Sequence, residues 1–250
     1  MDDFCVCLSN VDAEHIDLLR LFNFGEPLLH SDVPGLLKQV KKQKWNPRRV
    51  EISTSGQYFD NKQMLEILRT KALTILAVSC DGNASPEEYE KLRPPARWEK
   101  LIEFVRKVGE MKKRYSPQLV LIARIICTDL QNQKLWKMIL NPFGWKCQFR
   151  CRIPLPESQD TLTNDFKAPN ALCSFLNDRH PKIMFHKAYV SYDGTVISCC
   201  RHPKAGEFGN LKFEKLSSIL SSDKRKKVKH DLQTRRADMR ICGKCEDVVA

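Results

Sequence analysis

Two hundred and fifty residues with 42% apolar content can bury one sizeable core, or one core plus an appendage. No run reaches the ~18 apolar residues of a membrane span, and the start, MDDFCVCLSN, is acidic where a secretory signal is basic, so a cytoplasmic protein is expected. The net charge of +12 admits a polyanionic partner, but no aromatic residues interleave the basic ones as base stacking requires, which disfavours nucleic acid.

The elements alternate between strand and helix. Residues 1–13 show no periodicity, and Ile16–Phe24 is an apolar strand candidate running into Gly25-Glu26-Pro27-Leu28-Leu29-His30. Ser31 and Asp32 cap a helix with Leu36, Leu37 and Val40 on one face. Val50–Thr54 is a strand ending in Thr54-Ser55-Gly56; Asn61–Lys71 is a helix; Leu73–Ser79 is a buried strand closed by Cys80-Asp81-Gly82. Ser85-Pro86-Glu87-Glu88 is a capping box with proline in the first turn. A longer helix follows over Trp98–Arg114, then strand Leu119–Cys127, helix Leu130–Leu140 and strand Trp145–Ile153. Five strands at this spacing predict parallel pairing with right-handed crossovers, hence an α/β sheet or partial barrel over residues 1–153. Ligands of such folds sit at the carboxyl ends of the strands.

Residues 154–172 read as a proline-containing linker into a cysteine-rich α+β extension over 154–250. There a hairpin is expected, Phe185–Tyr192 turning through Asp193-Gly194 into Thr195-Val196-Ile197 and delivering Cys199-Cys200. A helix with Phe213, Leu216, Ile219 and Leu220 inward follows, then a basic helix from Asp223, read as a solvated face. The chain ends near Cys242-Gly243-Lys244-Cys245. Eleven cysteines without a signal peptide favour metal over disulfides. A CxxC pair grips one centre, and Cys173 with one of Cys199 or Cys200 completes four sulfurs, a set that suits zinc or an iron–sulfur cluster equally. Cys80 and Cys127 read as small buried hydrophobes. On the strand Trp145–Ile153, Cys147 and Cys151 point to the same face, where two thiols could approach one metal or redox partner, with ordinary core or barrel-rim residues as the commoner reading.

The pattern Cys173…Asp193-Gly194-x-Val196-x-x-Cys199-Cys200…Gly209-Asn210-Leu211…Cys242-x-x-Cys245 resembles the SPASM/twitch extension of radical S-adenosylmethionine (SAM) enzymes. The strand ends resemble that superfamily's barrel: Gly25-Glu26-Pro27-Leu28-Leu29-His30 its GGEPLLHP, Thr54-Ser55-Gly56 its TNG, Ser79-Cys80-Asp81-Gly82 its SxDG, and Tyr89-Glu90-Lys91-Leu92-Arg93 its YxxLR. The resemblance implies SAM binding by Gly25, Glu26, Pro27, Thr54, Ser55, Ser79, Asp81 and Arg93. It implies one auxiliary [4Fe–4S] cluster on Cys173, Cys199, Cys242 and Cys245, with Cys199 chosen over Cys200 by the family's G-x4-C spacing from Gly194. It further implies a peptide or small-molecule substrate and an electron donor such as ferredoxin or flavodoxin.

One feature departs from the family. Its CxxxCxxC motif, which holds the SAM-cleaving cluster after the first barrel strand, is absent from these 250 residues; Cys5 and Cys7 are spaced CxC and lie close to the GEP segment. The expectation is a partial radical SAM barrel lacking its first strand and its cysteine loop, with an exposed sheet edge. A truncated reading frame, a late start codon or a degenerate paralogue would each produce it.

Overall fold

The computed structural model describes residues 2–151, 172–176, 187–245 and 248–249. The expected linker falls, but for its last residue, outside these, as do Phe185 and His186. The chain forms two compact units: Glu14–Arg152, and Met1–Ala13 together with Ile153–Ala250. No described helix is long and apolar enough to cross a membrane.

The unit Glu14–Arg152 is a five-stranded parallel sheet in the order β1 (Leu18–Arg20), β2 (Arg49–Thr54), β3 (Ile75–Asp81), β4 (Val120–Ile126), β5 (Trp145–Arg150). The crossovers carry α2 (Val33–Lys41), α3 (Asn61–Arg69), α4 (Pro86–Leu92), α5 (Trp98–Tyr115) and α6 (Leu130–Leu140), α1 being Asp2–Ser9 of the other unit. Parallel strands in sequential order with crossovers of one hand put the helices on one face. The apolar side chains at alternate positions mark that face: Val50 and Ile52, Leu76 and Val78, Leu121, Ala123 and Ile125, and Trp145 are buried. Trp145 packs on Phe104 of α5 at 5.8 Å between ring centroids and donates its indole N–H to Val105 O at 3.0 Å. Trp136 of α6 likewise donates to Gly82 O at 2.9 Å, satisfying a polar atom that full burial would otherwise penalise.

Capping sets the helix starts. Asp32 accepts from Gly35 N at 2.7 Å, Asp60 from Gln63 N at 2.6 Å and Asp129 from Asn132 N at 2.8 Å. The expected capping box forms in only one direction: Ser85 Oγ accepts from Glu88 N, but Glu88 Oε2 turns to Asn83 N at 3.0 Å.

Three strands are shorter or shifted against expectation. β1 keeps only Leu18–Arg20 because the chain leaves the sheet at Phe22–Gly25 for the GEP turn. β3 continues through Cys80 and Asp81, which stay paired with Ile125 and Ile126. β5 stops at Arg150, so Cys151 lies beyond the strand, exposed, and does not share a strand face with Cys147.

In the other unit, β7 (Tyr189–Val190), β8 (Thr195–Ile197) and β9 (Glu207–Asn210) form an antiparallel sheet. The hairpin turn spans four residues rather than two: Ser191 N donates to Thr195 O at 2.8 Å and Gly194 N to Ser191 O at 3.1 Å. Gly194 sits at φ +86°, the left-handed region where a side chain is strained. Helices α7 (Leu216–Ser221) and α8 (Asp223–Thr234) follow. Phe213 precedes α7 and is 81% exposed rather than inward; Ile219 and Leu211 fill the core with Val196 and Phe208.

The first thirteen residues, grouped with the barrel in the sequence reading, pack in this unit. Leu8 is buried, and Cys7 and Val11 lie against the Val196–Ile219 core. Asn10 Nδ2 donates to Leu211 O at 3.0 Å and Asp12 Oδ1 accepts from Ser217 N at 2.9 Å.

Candidate metal centre and strand-end site

The C-terminal cysteines converge. Cys173, Cys199, Cys242 and Cys245 line one cavity together with Phe175, Ala205 and Ile241, and with Arg201, His202 and Arg236 as its basic groups. Cys199 leaves the end of β8. Cys173 is held in β6 (Leu172–Cys173), antiparallel to β10 (Val248–Val249), so the register opposes Cys173 to Val248, three residues past Cys245. The CxxC forms a single 3-10 turn closed by Cys245 N donating to Cys242 O. A Cβ on Gly243 would stand 2.5 Å from Ala237 O, so only glycine lets this turn approach the preceding backbone. Arg236, buried, donates to Cys245 O at 2.5 Å. Behind the cysteines, Leu176 and Leu232 form a small apolar cluster against Cys173, Phe175, Val228 and Cys242.

Electrostatics report the same convergence. Burial pushes the Cys242 thiol up to about 12, and the neighbouring thiol groups of Cys199, Cys173 and Cys245 add to it while Arg236 opposes. Burial also raises Cys199, countered by backbone hydrogen bonds from Arg201 and His202 and by Ser198. Amide donors aimed at a sulfur favour its charged form, the form that binds metal. Cys200 points to solvent and does not line the cavity. Among the described residues no three His, Cys, Asp or Glu side chains are grouped as a single metal ion would require. His202 lines the cavity and accepts from Lys204 N through Nδ1 at 3.0 Å.

The strand-end residues form a second group, within the sheet unit. Glu26 bridges two loops: Oε1 accepts from Leu28 N at 3.1 Å, and Oε2 from both Ser55 N and Ser55 Oγ at 2.7 Å. Pro27 opens the short 3-10 turn that Glu26 caps, and no atom lies within 4 Å of a Cβ placed on Gly25. Thr54, buried, accepts from Gly56 N at 3.0 Å. Asp81 accepts from Ile126 N at 2.9 Å through one oxygen and forms an ion pair with Arg93 through the other. Ser55 and Arg93 line one cavity with Gln57, Tyr58, Leu92 and Lys100. Ser79 faces the side of the sheet opposite the helices, half-buried. Gln57, which sequence reasoning missed, donates to Tyr89 Oη at 3.2 Å and accepts from Arg97 N at 2.7 Å, tying the turn after β2 to the loop after α4.

Of the remaining cysteines, Cys80 is fully buried and burial raises its pKa steeply, as a small core hydrophobe. Cys127 and Cys147 are partly buried, with thiols raised by burial, and Cys147 lies 3.9 Å from Asn141 Oδ1.

Residues 182–246 match SPASM, a family described as an iron-sulfur cluster-binding domain; the matched segment contains Cys199, Cys242 and Cys245 and begins after Cys173. Solved structures share the fold over nearly the whole chain. BtrN in complex with AdoMet and 2-DOIA matches with a TM-score of 0.58 at 15% identity over 98% of this chain and 79% of that one. Native anSMEcpe with bound AdoMet and Cp18Cys peptide matches with a TM-score of 0.61 at 16% identity over 98% and 80%. BtrN in an open conformation gives 0.56 at 12% identity over 98% and 78%. At such identities the likeness is one of fold. No curated protein matches significantly. Residues 182–246 are thus similar to SPASM, and the fold of nearly the whole chain is similar to that of BtrN and anSMEcpe.

Proposed function

We propose that this chain is an iron–sulfur protein of the radical SAM/SPASM lineage, holding one auxiliary [4Fe–4S] cluster on Cys173, Cys199, Cys242 and Cys245. The observation that carries the proposal is the shared cavity of these four residues, three of them within the SPASM match. Thiolates are the ligands such a cluster takes, and Arg201 and Arg236 offset part of their charge. The likeness of residues 182–246 to an iron-sulfur cluster-binding domain supports a cluster over the zinc alternative. When bound, the cluster would supply one-electron redox chemistry.

SAM binding belongs to the same proposal. The cavity containing Ser55 and Arg93, with Asp81 and Glu26 beside it, is the position for it, at the carboxyl ends of β2 and β3. The relatives in hand hold AdoMet, one with a peptide and one with the small molecule 2-DOIA, so substrates of either kind are consistent with this fold. An electron donor of the ferredoxin or flavodoxin type and a cytoplasmic, reducing setting complete the reading.

These 250 residues contain no CxxxCxxC. We therefore propose that the chain by itself does not cleave SAM reductively. Anaerobic reconstitution with iron and sulfide, followed by dithionite and SAM, tests both parts. The expected result is about four irons per chain with broad absorption near ~400 nm, SAM binding by calorimetry, and no 5′-deoxyadenosine. One tightly held zinc and no iron, under strictly anaerobic handling, would favour the structural-metal alternative.

A further inference from the structure

The face of the sheet opposite the helices carries a cluster of charged side chains among apolar ones such as Ile75, Ala77 and Ile122. Register places Arg20 of β1, Glu51 of β2, Arg124 and its neighbour Gln148 across β4–β5, and Lys146 and Arg150 of β5 on this one side. Glu51 is 1% exposed, its carboxylate lying between two arginines. Arg20 Nε reaches its Oε2 at 3.1 Å, and Arg124 pairs with its Oε1 from two strands away. β3 lies between them and presents Ala77 and Ser79 on this side, side chains short enough for the Arg124 side chain to cross. The Arg124 guanidinium stacks 5.6 Å from the Phe22 ring centroid, and its Nε points to Gln148 Oε1 at 3.5 Å; Arg150 donates to the same oxygen at 2.8 Å.

Two features argue against a purely structural staple. A buried carboxylate with two guanidinium partners gains little stability over an apolar cluster of equal size, because desolvation offsets the attraction. And the charges do not cancel. Among the described residues Arg20, Arg124 and Lys146 stand against Glu51, while Asp81 on the same face is closed by Arg93 and the Ile126 N–H. Lys146 and Gln148 are exposed, so positive charge on this face borders accessible space. Guanidinium groups held in a fixed plane by a carboxylate and a ring are preorganised for a second oxyanion.

We propose that this face binds an anionic group of the substrate, a carboxylate or phosphate, with Arg124 and Arg20 as its recognition residues and Glu51 as the brace that orients them. The proposal rests on the reading of this sheet as the substrate-holding part of a SAM-dependent enzyme. It does not depend on the cluster being loaded.

The test uses the full chain and a fluorescein-labelled hexaglutamate probe in fluorescence anisotropy at fixed ionic strength, with hexalysine as control. The expected result is saturable hexaglutamate binding that weakens about tenfold or more in Arg124→Gln and tightens in Glu51→Gln, which frees both cations. A double Lys224→Gln/Lys227→Gln variant of the basic helix α8 leaves it unchanged. Should Arg124→Gln not fold, Arg20→Gln, partly exposed on the edge strand, replaces it with the same expectation. Competition by pyrophosphate against glutarate separates a phosphate from a carboxylate site, either one supporting the proposal. No binding of hexaglutamate, equal binding of hexalysine, weakening in both Arg124→Gln and Glu51→Gln, or dependence on the α8 lysines would each overturn it. Iron content measured on the same preparation reports separately on the cluster reading.

Discussion

Glu26 and Ser55 are joined twice, the Ser55 backbone N–H and side-chain hydroxyl both donating to Glu26 Oε2 at 2.7 Å. The GEP turn after β1 and the turn after β2 are thereby fixed to each other, with the remaining Glu26 oxygen capping its own 3-10 turn at Leu28. Glu26 thus has its carboxylate committed to protein donors and holds two loops at one spacing. Serine stands where the resembling family has asparagine, and its hydroxyl supplies the second bond.

Ser55→Ala removes that second bond and leaves the first. The expected loss is about 1 kcal/mol in global stability, read as a lower midpoint in urea unfolding, with SAM affinity falling because the turn loosens. Unchanged stability and affinity would show the hydroxyl bond to be idle.

Gly243→Ala forces a Cβ to within 2.5 Å of Ala237 O, a backbone atom that cannot swing aside. The CxxC turn must shift as a whole. Iron incorporation after reconstitution is expected to fall well below the wild-type value while the sheet unit, followed by Trp136 and Trp145 fluorescence, unfolds as before. Full iron loading in this variant would mean that the turn tolerates displacement.

The buried thiols predict a pH dependence of the metal-free chain. The Cys242 pKa is raised from 9.0 to about 12, so the protonated form is the one the fold favours. Its stabilising contribution is complete below pH 9 and is lost as pH rises toward 12. Metal loading runs the other way, because ligation requires the thiolate, and should accelerate from pH 7 to pH 9. Alkylation with iodoacetamide at pH 8, mapped by mass spectrometry, is expected to modify exposed Cys151 and Cys200 first and Cys242 last. Early modification of Cys242 would contradict its burial.

Leu8→Ala tests the N-terminal helix. Leu8 is 5% exposed, and neighbouring Cys7 and Val11 pack on the Val196–Ile219 core. The expected cost is about 2–3 kcal/mol, read as faster hydrogen exchange at Val196 and Phe208 with no change in the sheet unit. Acid should loosen the same contact, because the Ser217 hydrogen bonds hold the Asp12 carboxyl below its usual range and are lost as pH falls through it.

Much of the sheet unit was legible in the sequence because its signals are local. Apolar runs such as Leu119–Ile126 and caps such as Asp32, Asp60 and Asp129 locate strands and helices without knowledge of partners. What was missed depends on distant contacts. The helix Asp2–Ser9 has no clean apolar stripe of its own and is held by residues some two hundred positions away, among them Lys212 and Lys215. The strand Glu207–Asn210 carries two poor strand formers, Gly209 and Asn210, and exists because Thr195 and Val196 pair with it. The hairpin turn was read from Asp193-Gly194 alone, whereas the Ser191 bonds to Thr195 and Gly194 lengthen it. Within β4, Arg124 is surrounded by isoleucine and alanine, and nothing in that run indicates that its charge is matched by Glu51 across β3. Cys199 and Cys200 illustrate the same limit: their spacing differs by one residue, while burial separates them, one lining the thiol cavity and the other exposed.

The most direct measurement is iron and acid-labile sulfide per chain after anaerobic reconstitution of Cys199→Ala and Cys200→Ala beside the unaltered chain. The account predicts about four irons for the unaltered chain and for Cys200→Ala, and a loss of most of the iron and of the ~400 nm absorption in Cys199→Ala. Iron retained by Cys199→Ala and lost by Cys200→Ala, or no iron in any of the three, would contradict it.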